Sequence, residues 1–267
     1  MGYTRHVAST SSEGNAQDLL QHEAFVTERI ALDSLPSPSK LARSAHSSRV
    51  VHWLREAIVS GTLPEGAPLV ETALAEEFGV SRGPVRSALQ ELHAQGLVYT
   101  SPTGRSSVVG FDHARLLDLL TVRWQLESQA ARWGLERGHS PEDVFVAYAA
   151  IESAVDASGE ELAELDMAFH RALVAFSGSL ALMSAWGALA PVVTAVLVVA
   201  NRRARFSTRA LSDVVRSLHT PILDALLTED ADEISRLLQR QFENTDYLRQ
   251  VEHDVPTLVP PGNALRG

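Results

Sequence analysis

The sequence predicts a mainly α chain of two domains: a small three-helix unit closed by a two-stranded hairpin, then an all-helical bundle. Three observations predict it. Apolar residues recur at helical spacing from Val50 onward. Only two short runs read as strands, Leu97-Val98-Tyr99 and Ser107-Val108-Val109, joined by Ser101-Pro102-Thr103-Gly104-Arg105. From Phe111 the pattern is helical throughout, interrupted only at Gly138, Ser158-Gly159, Ser177-Gly178 and Thr228–Asp230.

The elements follow in order. Residues 1–45 form an arm with little periodicity, with a short helix around Ala16–Ile30 and a Ser/Pro alternation at Ser34–Lys40 that resists regular structure. Val50, Val51, Leu54, Ala57 and Ile58 mark the first helix, ended by Gly61, and Leu63-Pro64-Glu65-Gly66 make a turn. Leu74, Ala75 and Phe78 mark a short second helix, stopped by Gly79. Ser81 suits the N-cap of a third, with Pro84 in its first turn, where a missing N–H costs little. This domain spans 46–110. Helices near 112–137, 141–157, 160–177, 179–205, 208–228 and 230–250 build the second, spanning 111–251, and a proline-bearing tail follows at 252–267.

Composition narrows the function classes. A net charge of −10 gives no general attraction to nucleic acid, so any DNA contact must come from a local patch. The absence of cysteine excludes disulfides and thiolate metal sites and fits a cytoplasmic location. Leu180–Ala200 lies within an uncharged stretch long enough to suggest a membrane span. Ser184, Gly187, Pro191 and Thr194 interrupt it, and polar helices follow, so it reads as a core helix with no membrane partner.

Helix, short helix, turn, helix and hairpin is the winged helix-turn-helix plan, whose second helix of the pair, here beginning at Ser81, enters the major groove. Arg82 and Arg86 stand four apart near its leading end, able to fork onto guanine or clamp a phosphate. Gly104 and Arg105 occupy the wing tip. Five arginines against six glutamates in 46–110 leave this domain slightly acidic, so contact depends on where the arginines lie, and two copies would be needed for strong binding. The run Leu54–Val98, above all Leu54-Arg55-Glu56-Ala57-Ile58, Gly61–Gly66 and Gly79-Val80-Ser81-Arg82-x-Pro84-Val85-Arg86, closely resembles the GntR family of bacterial repressors. The resemblance implies DNA contacts from Thr72, Ser81, Arg82, Gly83 and Arg86 and from the wing at Gly104-Arg105. Gly83 departs from it: that position commonly holds threonine, and glycine offers no side chain to a base.

In the second domain Asp166 and His170 project from one helical face, a spacing that either chelates a divalent cation or stabilises the helix. Arg123, four before Glu127, can form a helix ion pair with it. Arg202 and Arg203 read as charges fixing a helix end, and Trp124, Trp133 and Trp186 as core. Leu119–Glu127, Asp166-x-x-Phe169-His170, Ser177-Gly178 and His219-x-x-Ile222-Leu223 resemble the FCD sensor of the FadR-type branch of the same family. That implies a transition metal of Zn, Ni or Mn type on Asp166, His170 and His219, with Gln241 in place of a fourth histidine and a weaker ligand than imidazole. The effector, an organic acid, would then bind among Arg123, Asp166, His170, His219 and Gln241. The expectation is a homodimeric repressor on double-stranded operator DNA and not an enzyme. A metal-dependent hydrolase or lyase using the Asp/His cluster is the rival.

Overall fold

A computed structural model describes residues 46–203 and 208–243. The arm and its expected helix around Ala16–Ile30, and the tail, lie outside the described residues. The first domain holds α1 (His46–Val59), α2 (Glu71–Phe78), α3 (Arg82–Ala94), β1 (Val98–Thr100) and β2 (Ser106–Val108). The second holds α4 (His113–Glu136), α5 (Glu142–Ser153), α6 (Gly159–Phe176), α7 (Leu180–Arg203), α8 (Thr208–Leu227) and α9 (Ala231–Glu243). The mainly α class holds, with one antiparallel hairpin.

The first domain is organised by burial of one stripe per helix. Val50, Leu54, Ala57 and Ile58 of α1 meet Val85, Ala88, Leu89 and Leu92 of α3 with almost no exposure. Gly79 ends α2 in a left-handed conformation (φ 63°), which glycine adopts without a Cβ penalty and which lets the chain turn at once into α3. Ser81 sits at the N-cap of α3 with extended backbone, but its side chain makes no capping hydrogen bond, so the cap expected from its chemistry is only positional. The hairpin pairs Val98 with Val108 and Thr100 with Ser106. Residues 66–69 run beside β2, with Gly66 N donating to Val108 O and Leu69 N to Ser106 O.

In the bundle, α4 packs on α6, α7 and α9, and α6 also packs on α5, α7 and α8. Phe169, Leu173, Ile222, Ile234 and Leu238 centre its core. Ser158 caps α6 in a reciprocal box with Glu161 (Ser158 N to Glu161 Oε2, 2.7 Å), which draws the preceding chain out of helix. The helix expected over 141–157 accordingly stops at Ser153. Pro191 does not interrupt α7: the helix runs through it. By length and composition α7 is apolar enough to cross a membrane, yet Val192, Val193, Ala195, Val196, Val198 and Val199 of its second half are buried in the bundle. Its first half is largely exposed, with Leu180 85% accessible. Of the three tryptophans assigned to the core only Trp186 is fully buried. Trp124 is half-buried because its indole Nε1 donates to Ser235 O (3.0 Å) near the surface, and half-buried Trp133 stacks under Arg137.

Candidate functional site

Two groups of polar side chains stand out, one at the surface of the first domain and one inside the bundle.

At the surface, Thr72, Ser81, Arg82, Gly83 and Arg86 are all exposed on the leading ends of α2 and α3. Among the described residues a Cβ at Gly83 would meet nothing within 4 Å, so their packing does not demand glycine there. The wing tip is a tight turn. Gly104 has φ 81°, Ser101 N donates to Arg105 O (2.8 Å), and the Arg105 side chain is exposed. Sequence reasoning missed Glu71. Its carboxylate accepts Arg86 Nε at 3.0 Å and Nη2 at 2.9 Å, and Arg82 Nη2 at 3.0 Å. Hydrogen bonding from Arg86, joined by Arg82, pulls its pKa down to about 2. The adjacent arginines therefore share one counter-charge.

Inside the bundle, α4 presents a stripe of Leu116, Leu120, Arg123, Glu127, Ala130, Ala131 and Gly134 to the core. Two charged residues within that stripe were the legible signal for Glu127, which the spacing argument treated only as a helix partner. Glu127 is fully buried. Its Oε1 accepts Arg123 Nε at 2.8 Å, and its Oε2 accepts His170 Nδ1 at 2.7 Å. The Arg123–Glu127 helix pair therefore exists, and Arg123 Nη2 also lies 3.4 Å from Asp166 Oδ2. His219, from α8, donates through Nδ1 to Val215 O (2.7 Å). Phe169 sets its ring edge-on to both histidines.

Those outer bonds orient the rings. With Nδ1 of each histidine turned to an outer acceptor, the two Nε2 atoms point inward. They face each other at 3.1 Å, and Asp166 Oδ1 lies 3.2 Å from His219 Nε2 and 3.9 Å from His170 Nε2. These three possible ligand atoms thus lie within 4.8 Å of one another, a grouping that could hold a metal ion. Burial, and then Arg123, push the His170 pKa down, which disfavours an extra proton there. Burial opposes the charges on Asp166 and Glu127. His170, His219 and Arg123 outweigh it at Asp166, and His170 and Arg123 at Glu127, so both carboxyls sit below their ordinary range. Two nitrogens and one carboxylate oxygen suit a borderline transition ion. Gln241 on α9 donates its amide Nε2 to the backbone O of Leu218 (2.8 Å), the residue before His219.

Arg202 and Arg203 do more than fix the end of α7: they reach the first domain. Arg202 Nη1 meets Glu56 Oε2 on α1 at 2.5 Å, and Nη2 meets Glu160 on α6 at 3.3 Å. Arg203 donates to Ser60 O (3.0 Å), and Asn201 to Gly159 O (2.6 Å). A Cβ on Gly159 would come within 2.8 Å of Asn201 Cβ, so glycine permits this close approach of α6 to α7.

Residues 46–109 match the bacterial regulatory proteins of the gntR family, and residues 118–244 match the FCD domain. A probable D-xylose utilization operon transcriptional repressor of Paenarthrobacter nicotinovorans is 30% identical over 195 residues, covering 72% of this chain and 84% of that protein. A gluconate operon transcriptional repressor of Bacillus licheniformis is 28% identical over 210 residues, 76% of this chain and 85% of that protein. Among solved structures, E. coli McbR/YncC superposes with a TM-score of 0.55 at 21% identity, over 77% of this chain and 97% of that one. Lar of Listeria monocytogenes gives 0.57 at 18%, over 77% and 96%. These two likenesses concern the fold.

Proposed function

The chain belongs to the GntR family of bacterial transcriptional regulators, with an FCD domain as its sensor, and from that premise we propose that it is a cytoplasmic, homodimeric, metabolite-responsive repressor. Family membership makes it a regulator rather than an enzyme and removes the hydrolase or lyase reading.

The observation that carries the sensor half of this reading is the convergence of Asp166 Oδ1, His170 Nε2 and His219 Nε2, all within 4.8 Å of one another. These atoms would hold a divalent transition metal of Zn, Ni or Mn type, with Gln241 close by on α9. When bound, the ion supplies a Lewis-acid anchor for the carboxylate of a small organic acid. Glu127 holds the His170 ring in the tautomer that presents Nε2 inward. Arg123, beside Asp166, adds positive charge for an anionic effector. The operons named for two relatives, of gluconate and of D-xylose, place sugar acids and sugars first among compounds to test.

In the reader half, the leading end of α3 enters the major groove with Arg82 and Arg86, Ser81 and Gly83 lie against the DNA, and Thr72 approaches the backbone. Gly104 and Arg105 bring the wing to a neighbouring phosphate or the minor groove. Two copies address two half-sites. The exposed apolar first half of α7, with Leu117 and Val122 on α4, is the surface that suits pairing of sensors. The linkage runs through shared helices. α6 carries Asp166 and His170, its first turn is tied to the end of α7, and Arg202 ties that end to Glu56 on α1, which packs on α3. A shift of α6 on effector binding thereby moves the reader.

Replacing Arg82 and Arg86 together by alanine tests the reader. Affinity for a duplex selected by the wild-type chain from a random pool falls at least about a hundredfold with melting unchanged. Retained affinity contradicts the docking.

A further inference from the structure

We infer that Glu71 is a specificity-determining residue of the DNA reader, an internal surrogate for phosphate that occupies both recognition arginines until DNA offers better ligands. The inference rests on the reading of Arg82 and Arg86 as the DNA-contacting pair.

The geometry is that of an anion site already filled. One carboxylate takes a two-pronged contact from Arg86 and a third bond from Arg82, the arrangement in which guanidinium groups grip a phosphate. Both arginine side chains remain 59% exposed, so they are held on the surface and not buried by the clamp. Glu71 belongs to the first turn of α2, beside exposed Thr72, and so lies on the face that meets DNA. Elsewhere in the reader Arg55 is buried against Glu91 and Gln95, so it is not free to meet DNA.

Two consequences follow from elementary electrostatics. A lone phosphate of arbitrary sequence gains little, because it must displace Glu71 from two arginines and then lie near the displaced negative charge. A duplex that offers a guanine edge to one arginine and a phosphate to the other repays both displacements at once. Glu71 therefore suppresses sequence-independent binding more than sequence-specific binding, a penalty aimed at wrong partners.

The test uses the full chain with Glu71→Gln, which keeps shape and removes charge. Its probes are a short duplex of random sequence and the duplex the wild-type chain selects from a random pool. Affinity for the random duplex rises about tenfold and that for the selected duplex less than about threefold, so their ratio falls. The log–log salt slope on the random duplex steepens by about one for each arginine set free. A ratio unchanged or raised, at unaltered melting temperature, overturns the inference. Arg82→Ala with Arg86→Ala separates the two readings. If that double variant binds no duplex while Glu71→Gln leaves the ratio alone, only the role of Glu71 fails. If it still binds the selected duplex, the docking of α3 has failed as well.

Discussion

Arg82, Arg86 and Glu71 in the reader lie at the surface, their side chains 59%, 59% and 25% exposed, while Arg123, Glu127, His170 and His219 in the sensor are at most 3% exposed. Both groups tie an arginine to a carboxylate. Water and salt screen the first, so its pairing costs little to break and is available for exchange with DNA. The second is almost closed to solvent, so its charged members must be matched by one another. Exposure, more than residue type, separates a surface that trades partners from a centre that holds one.

The largest expected effect tests that contrast directly. Glu127→Ala takes the buried carboxylate away from Arg123 Nε and His170 Nδ1 and destabilises the chain by about 3–5 kcal/mol in denaturant unfolding. Glu71→Ala leaves the unfolding midpoint nearly unchanged. Equal losses would break the comparison. A finer cut is Glu127→Gln, which keeps the packing but no longer fixes the proton on His170. Zinc affinity of chelator-stripped protein then falls about 10- to 100-fold in calorimetric titration, with the helical content retained.

The next prediction concerns the joint between the halves. Glu56→Gln loosens the Arg202 tie, so the change in DNA affinity produced by adding zinc to stripped protein shrinks by about 1 kcal/mol of coupling. Zinc affinity itself stays as in the wild type. Undiminished coupling would place the linkage elsewhere. The smallest effect is Gly83→Ala. With open space around that position, the fold gains about 0.5 kcal/mol from the better helix former, read as a higher denaturation midpoint.

What the sequence made legible follows the same division. Periodicity located every described helix, and glycines at positive φ marked several of the breaks, among them Gly61, Gly79, Gly138 and Gly178. Asp166 and His170 were readable because four residues on a helix place both on one face. His219 and Gln241 come from separate helices, so family resemblance and not spacing pointed to them. Glu71 with Arg82 and Arg86, and Glu56 with Arg202, were out of reach: their pairings span 11 and 15, and 146, positions, and only packing brings them together. Glu127 was visible as a charge in an apolar stripe, but its second partner, His170, lies 43 residues on. The end of α5 was misplaced because alanine and valine carry the pattern past Ser153, while the capping box at Ser158 governs the backbone there.

We propose Asp166, His170 and His219 as a cation site. Its most direct measurement is elemental analysis of untagged protein purified without chelator, with Asp166→Ala alongside. About one transition metal per chain is expected in the wild type, none in the variant, and a melting temperature that chelator lowers only in the wild type. A metal-free wild type whose melting ignores both added zinc and chelator would contradict it.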